Sequence, residues 1–129
     1  MASNVFPLLS GLRDHLAGAV PGVTTCRIGL EANMTPADYP MIRLVPSRVL
    51  DGQVIGRRAV EGLLYFGQPI HEATGGLEAE WSSLLALEAQ IIGALEATPT
   101  ASCQYLETVL DEDRIDAYKL LAIRFRAIG

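Results

Sequence analysis

At 129 residues the chain has the length of one domain, and a domain of this size buries roughly two-thirds of its unfolded surface without a metal or disulfide staple. Half of the residues are hydrophobic and only 19% are charged. That is below the usual fraction of about a quarter, so little polar surface is available and some apolar surface is expected to be covered by a partner. The net charge of −5 argues against binding nucleic acid by phosphate neutralisation, which needs a basic patch.

The composition excludes other classes as well. No signal peptide is expected: the apolar run Val5 to Leu9 is short, and Arg13 and Asp14 follow it closely. No apolar run approaches the roughly 18 residues of a membrane span. Cys26 and Cys103 are the only cysteines and have no metal-type spacing. They read as reduced thiols in strands, and a disulfide between them requires adjacent strands.

In chain order, Val5, Leu8, Leu9, Leu12 and Leu16 repeat at helical spacing and predict a helix from about residue 4 to 19. Pro7 is tolerated in its first turn, where its missing N–H has no intrahelical partner, and Pro21-Gly22 stops it. His15 lies beside the apolar stripe and reads as a partly buried histidine with no chemical role. Residues 23–31 are rich in β-branched side chains and alternate. Cys26, Ile28 and Leu30 fall on one side, and Thr25, Arg27 and Glu31 on the other, a strand with one wet face. A loop follows from Ala32 to Pro40.

Met41 to Leu50 and Val54 to Phe66 predict two strands, joined by Asp51-Gly52, a strong hairpin signal. Pro46 points to a sheet edge or a bulge in the first of them. The distal hairpin carries Ser47, Arg48, Asp51, Arg57 and Arg58, is polar, and is expected to project beyond the sheet. The run Val60 to Phe66 is nearly all apolar and should be central. Gly67 to Gly76 is a predicted loop holding His71, which has no metal-type partner spacing.

Leu77 to Ala97 is the longest helical pattern, with Leu77, Trp81, Leu84, Leu85, Ile91, Ile92 and Leu95 on one face. Glu78 and Glu80 suit the positive end of the helix dipole, after Thr74, Gly75 and Gly76, and Thr98-Pro99 ends the helix. Ser82, Ala86, Ala89, Gly93 and Ala97 line the opposite face. They suit either close approach of another backbone or plain exposure to solvent. Glu88 falls within the apolar stripe, where a carboxylate needs a partner or a raised pKa. A structural ion pair or a carboxylate reaching the rim, a subunit contact and a catalytic acid are the readings open to it. Cys103 to Leu110 and Ile115 to Ile128 then form a second hairpin around Asp111-Glu112-Asp113-Arg114, with Leu121, Ile123 and Phe125 on one side of the last strand and Arg124 and Arg126 on the other.

The order is helix, three strands, helix, two strands. It predicts an α+β fold, a mixed or antiparallel sheet of about five strands with two helices packed on one face. No phosphate-binding glycine loop, nucleophile elbow or HExxH pattern occurs. Asp111, Glu112 and Asp113 suit a solvated turn better than a cation site. No enzyme activity, cofactor or metal is expected.

Ala37-Asp38-Tyr39-Pro40 running into Met41-Ile42-Arg43-Leu44-Val45 resembles the corresponding part of tailed-phage tail terminator (tail completion) proteins. The likeness continues in order. A polar hairpin is followed by an apolar strand from Leu63 to Pro69, then the helix bearing Trp81, then Tyr105 and the acidic turn at Asp111 to Asp113 before a final strand. The basic hairpin of Arg48, Arg57 and Arg58, and the ending Arg124 and Arg126, are this chain's own.

The resemblance implies a virion structural protein that assembles in the host cytoplasm. It implies a ring of copies of this chain, usually a hexamer, that caps the tail tube, ends its polymerisation and meets the head-completion protein. Partners would be the chain itself, the tail tube protein and the head-completion protein, with no membrane and no sequence-specific nucleic acid. Ring contacts join two different patches, so the expected subunit interface draws on Arg48, Arg57, Arg58, Glu88, Asp111, Glu112 and Asp113. In it the basic hairpin of one subunit would meet the acidic turn or the helix of the next. The alternatives are another head–tail joining or assembly protein, or a small-ligand-binding domain with Glu88 and His71 lining a pocket.

Overall fold

A computed structural model describes residues 4–29, 36–38, 40–51, 57–69, 77–99, 101–110 and 118–128. Helix α1 (Phe6–Ala19) starts with Pro7 in its first turn, and Asn4 Oδ1 accepts the Phe6 N–H at 3.0 Å. Leu9, Leu12 and Leu16 recur every three or four residues, so one side of α1 is buried. Val20 caps the end by donating its N–H to the Leu16 carbonyl and is itself buried.

Strand β1 (Thr25–Ile28) is shorter than the predicted one. Gly29 sits at φ 89, in the left-handed region that favours glycine, and this turns the chain out of the strand. Its N–H closes the ladder on the Leu44 carbonyl at 2.7 Å. Leu30 and Glu31, two of the expected alternating residues, lie outside the described residues. A short 3₁₀ turn, Pro36–Asp38, leads to β2 (Met41–Asp51). Here the backbone seats β1 beside β2: Thr24 N–H donates to the Pro40 carbonyl and Thr25 Oγ1 to the Asp38 carbonyl, both at 2.8 Å.

Strand β3 (Arg58–Pro69) pairs antiparallel with β2, then helix α2 (Leu77–Glu96) leads to the hairpin strands β4 (Ser102–Val109) and β5 (Tyr118–Ile128). The sheet order is β1-β2-β3-β5-β4, with β1 parallel to β2 and the other neighbours antiparallel. This is the predicted α+β fold with a mixed five-stranded sheet, and the apolar β3 is its central strand. β3 runs on through Gly67, Gln68 and Pro69, which the sequence places in a loop, because β5 pairs with all three. The turns expected at Asp51-Gly52 and at Asp111 to Asp113, and the loop holding His71, extend outside the described residues.

The helices share one face of the sheet, α1 against β1 and α2 against β4. Strand alternation aims Ile42, Leu44, Leu64, Phe66, Ile123 and Phe125 at them. Leu12 and Leu16 of α1 and Leu84, Ile91 and Leu95 of α2 fill the other side, all fully buried. Each such side chain contributes about 1.5–3 kcal/mol relative to exposure. Leu85, expected on this stripe, is 44% exposed. One residue turns a helix by about 100°, so with Leu84 aimed at the core Leu85 must point away.

Two polar details join the helices. His15 Nε2 lies 2.8 Å from the Ala94 carbonyl, which can only accept, so this nitrogen carries the proton. Thr98, buried just past α2, donates its hydroxyl to the Leu95 carbonyl at 2.8 Å and so satisfies one of the helix's last carbonyls. Cys26 and Cys103 lie on the two opposite edge strands, four strand spacings or roughly 19 Å apart. No disulfide can join them within one chain.

Candidate functional site

The sheet face away from the helices carries the chain's unusual polar chemistry. It begins at Pro46. Opposite Gly62 the β2–β3 ladder slips, with Pro46 paired to Gly62 and Arg48 to Glu61. β1 pairs no further along β2 than Leu44, so among the described residues no strand lies on the other side of Pro46, which also sits at a bulge. Both sites tolerate a residue without an N–H. The bulge sets Arg48 directly across from Glu61, and β5 brings Arg126 to its other side.

Glu61 is thus gripped from two sides. Arg48 Nη2 donates to Oε1 at 2.7 Å, and Arg126 donates to Oε2 through Nε at 2.9 Å and through Nη2. The Glu61 side chain is only 9% exposed, whereas Arg48 and Arg126 remain 62% and 41% exposed. Hydrogen bonds from Arg48 and then Arg126 hold its carboxyl below the ordinary carboxylate value, against a smaller opposing push from burial. Next to this triad, Arg124 Nη1 donates to Glu107 Oε1 at 2.9 Å across β5 and β4. Arg43, fully buried on the same face beside Tyr65, donates Nη1 to the Ile42 carbonyl at 2.8 Å.

The depressed carboxyl gives a pH signature. The folded state binds the Glu61 proton less tightly than the unfolded chain does. The triad's contribution is therefore complete above the unfolded value of about 4.3 and is lost as pH falls through the lowered one. Urea midpoints of the wild type and Glu61→Gln are expected to differ at pH 7 and to converge from about pH 5 downward. A gap that stays constant into acid would mean that the ion pairs are not its source.

The expected interface residues are not gathered in one place. Arg48 is engaged by Glu61 within its own chain. Arg57 is exposed just before β3, and Arg58 is half-buried opposite Asp51 on the helix-side parity of the strand. The three arginines therefore span both faces, because side chains two residues apart share a face and neighbours do not. In the described part of the hairpin, β5 accompanies β3 as far as Ala59, so only the β2 side from Val45 onward is free of a neighbouring strand. Glu88 is half-buried on α2. Asp111, Glu112, Asp113 and His71 lie outside the described residues.

Sequence reading missed the triad. Its one signal was Glu61 itself, a lone acid inside an apolar strand, but its partners stand 13 and 65 residues away. Burial raises the Cys26 thiol to about 11 and raises Cys103 too, with Thr98 acting the other way on Cys103. Among the described residues no group of three or more His, Cys, Asp or Glu side chains stands close enough to hold a metal ion, and no helix is long and apolar enough to cross a membrane. No protein-family model matches the chain, and neither does any curated protein.

Proposed function

We propose that this chain is an assembly protein that acts by contact: a ring-forming subunit of the tail-terminator type, capping a phage tail tube and meeting the head side. The observation that carries this reading is the element order α-β-β-β-α-β-β around a mixed sheet. In it the short turn ending at Asp38 precedes β2, the order of the family the sequence resembles. Two further features agree with a role in contact. The edge strand β4 carries Leu106, Val109 and Leu110 exposed in or just beyond it, and long edge strands with apolar side chains invite pairing. The outer side of α2 is lined by small residues and the exposed Leu85.

Light scattering across a concentration series tests the reading. A mass near six subunits is expected at high concentration. A chain that stays monomeric at every concentration, with or without added tail tubes, would exclude it.

A further inference from the structure

We propose that β4 of one copy of this chain pairs antiparallel with β4 of a second copy, about a two-fold axis at Leu106. The contact goes beyond the ring-forming reading and does not depend on it, since a two-fold contact closes with two copies. The first ground is the open edge. Among the described residues β4 has β5 on one side and no strand on the other, so a row of its backbone N–H and C=O groups faces outward as a template for a further strand. The other long free edge, β2 beyond Leu44, is blunted. Pro46 offers no N–H, the ladder shifts register after it, and Arg48 and Asp51 are charged and exposed. From Ser102 to Leu110 there is no proline, no basic residue and one acid, Glu107, which is tied to Arg124. The one irregularity of β4 leaves Leu106 without a partner in β5.

The second ground is polarity and self-complementarity. Six large hydrophobic side chains are exposed among the described residues. Leu106, Val109 and Leu110 stand on or just beyond β4, and Leu85 stands on α2, the helix that packs against β4. An exposed apolar cluster marks a contact surface. Two copies of a chain of net charge −5 repel each other in general, and this nearly uncharged edge is where they can meet. A two-fold axis at right angles to the sheet sets the two strands antiparallel and joins two five-stranded sheets into one. Centred on Leu106, the pairing uses the whole run from Ser102 to Leu110. The two Leu106 side chains meet at the axis, Ser102 faces the second copy's Leu110, and Gln104 faces its Thr108. Glu107 faces Tyr105, so neither acid faces the other and each keeps its own Arg124.

Disulfide trapping tests the contact and its register. At the axis the two Leu106 Cα atoms would stand about 4.5–5.5 Å apart, within the roughly 4.4–6.8 Å that a disulfide spans. Leu106→Cys is therefore expected to cross-link into a covalent dimer under mild oxidation. The two copies of Ser102 would stand roughly 26 Å apart, at about 3.3 Å per residue. Ser102→Cys is expected to cross-link no more than the wild type, whose own thiols set the background. Leu106→Lys/Val109→Lys puts like charges on the shared edge, and sedimentation is expected to show a dimer at least about tenfold weaker. All these positions are exposed, and circular dichroism checks that each variant folds. Equal cross-linking of the two cysteine variants, or a lysine variant that dimerises as the wild type does, overturns the contact. Six-subunit particles without cross-linking of Leu106→Cys overturn it and leave the ring reading standing. A wild type confined to dimers, with Leu106→Cys cross-linked, supports the contact and counts against the ring. A monomer at every concentration overturns both.

Discussion

Gly62→Ala is expected to destabilise the fold by about 3 kcal/mol, the upper end of the usual penalty for overpacking. A methyl group at this position would lie 2.7 Å from the Val45 carbonyl oxygen, 3.2 Å from Pro46 Cα and 3.3 Å from the Phe125 ring. Two of those three atoms are backbone of the neighbouring strand, which cannot retreat without opening the ladder. Alanine loses less backbone entropy than glycine on folding, a gain of about 0.5–1 kcal/mol in strand or helix interiors, and the overlap outweighs it. The same substitution pushes away the bulge that aims Arg48 at Glu61. The acid-dependent part of the stability should therefore shrink together with the urea midpoint. A loss under about 1 kcal/mol in urea unfolding would show that β2 can shift at Pro46, and that the close approach is not required.

Phe125→Ala is expected to cost about 3–5 kcal/mol. The ring is fully buried in the second half of β5, opposite Gly62, and belongs to the same apolar cluster as Leu64, Ile123 and Leu95. Its removal leaves a cavity between sheet and helices that strand backbones cannot collapse into. A domain of ordinary stability, about 5–15 kcal/mol, would lose a large part of its margin. Phe125→Leu keeps apolar volume there and should lose much less. Equal losses for the two variants, or a loss below about 1.5 kcal/mol for alanine, would mean that the ring does not hold the layers together.

Net charge alone does not say where charge sits. The folded sheet collects arginines from β1, β2 and β5 onto one face, where Arg48 and Arg126 pair with Glu61 and Arg124 with Glu107, while α2 contributes only acids.

The local elements were legible from residue pattern. Leu9, Leu12 and Leu16 marked α1, the apolar Val60 to Phe66 marked a central strand, and Pro46 marked an edge or a bulge. Misreadings came where a neighbour overrode the pattern. Gly67 to Pro69 became strand because β5 pairs with them, and Leu85 lost its place in the core to Leu84. Of the candidate interface residues, Arg48 was legible as a basic hairpin residue, but its engagement with Glu61 was not.

By itself the sequence determined the α+β class, the succession of helices and strands, and which side of each points inward, because those follow from periodicity within a few turns or pleats of chain. Only the tertiary structure decided the strand order, the separation of Cys26 from Cys103, the grip of Arg48 and Arg126 on Glu61, and the gathering of arginines on one face. Each of these joins residues far apart in the chain. No local period encodes which distant strand becomes a neighbour, and that choice was made by burial of the shared core and by the register of the pairing.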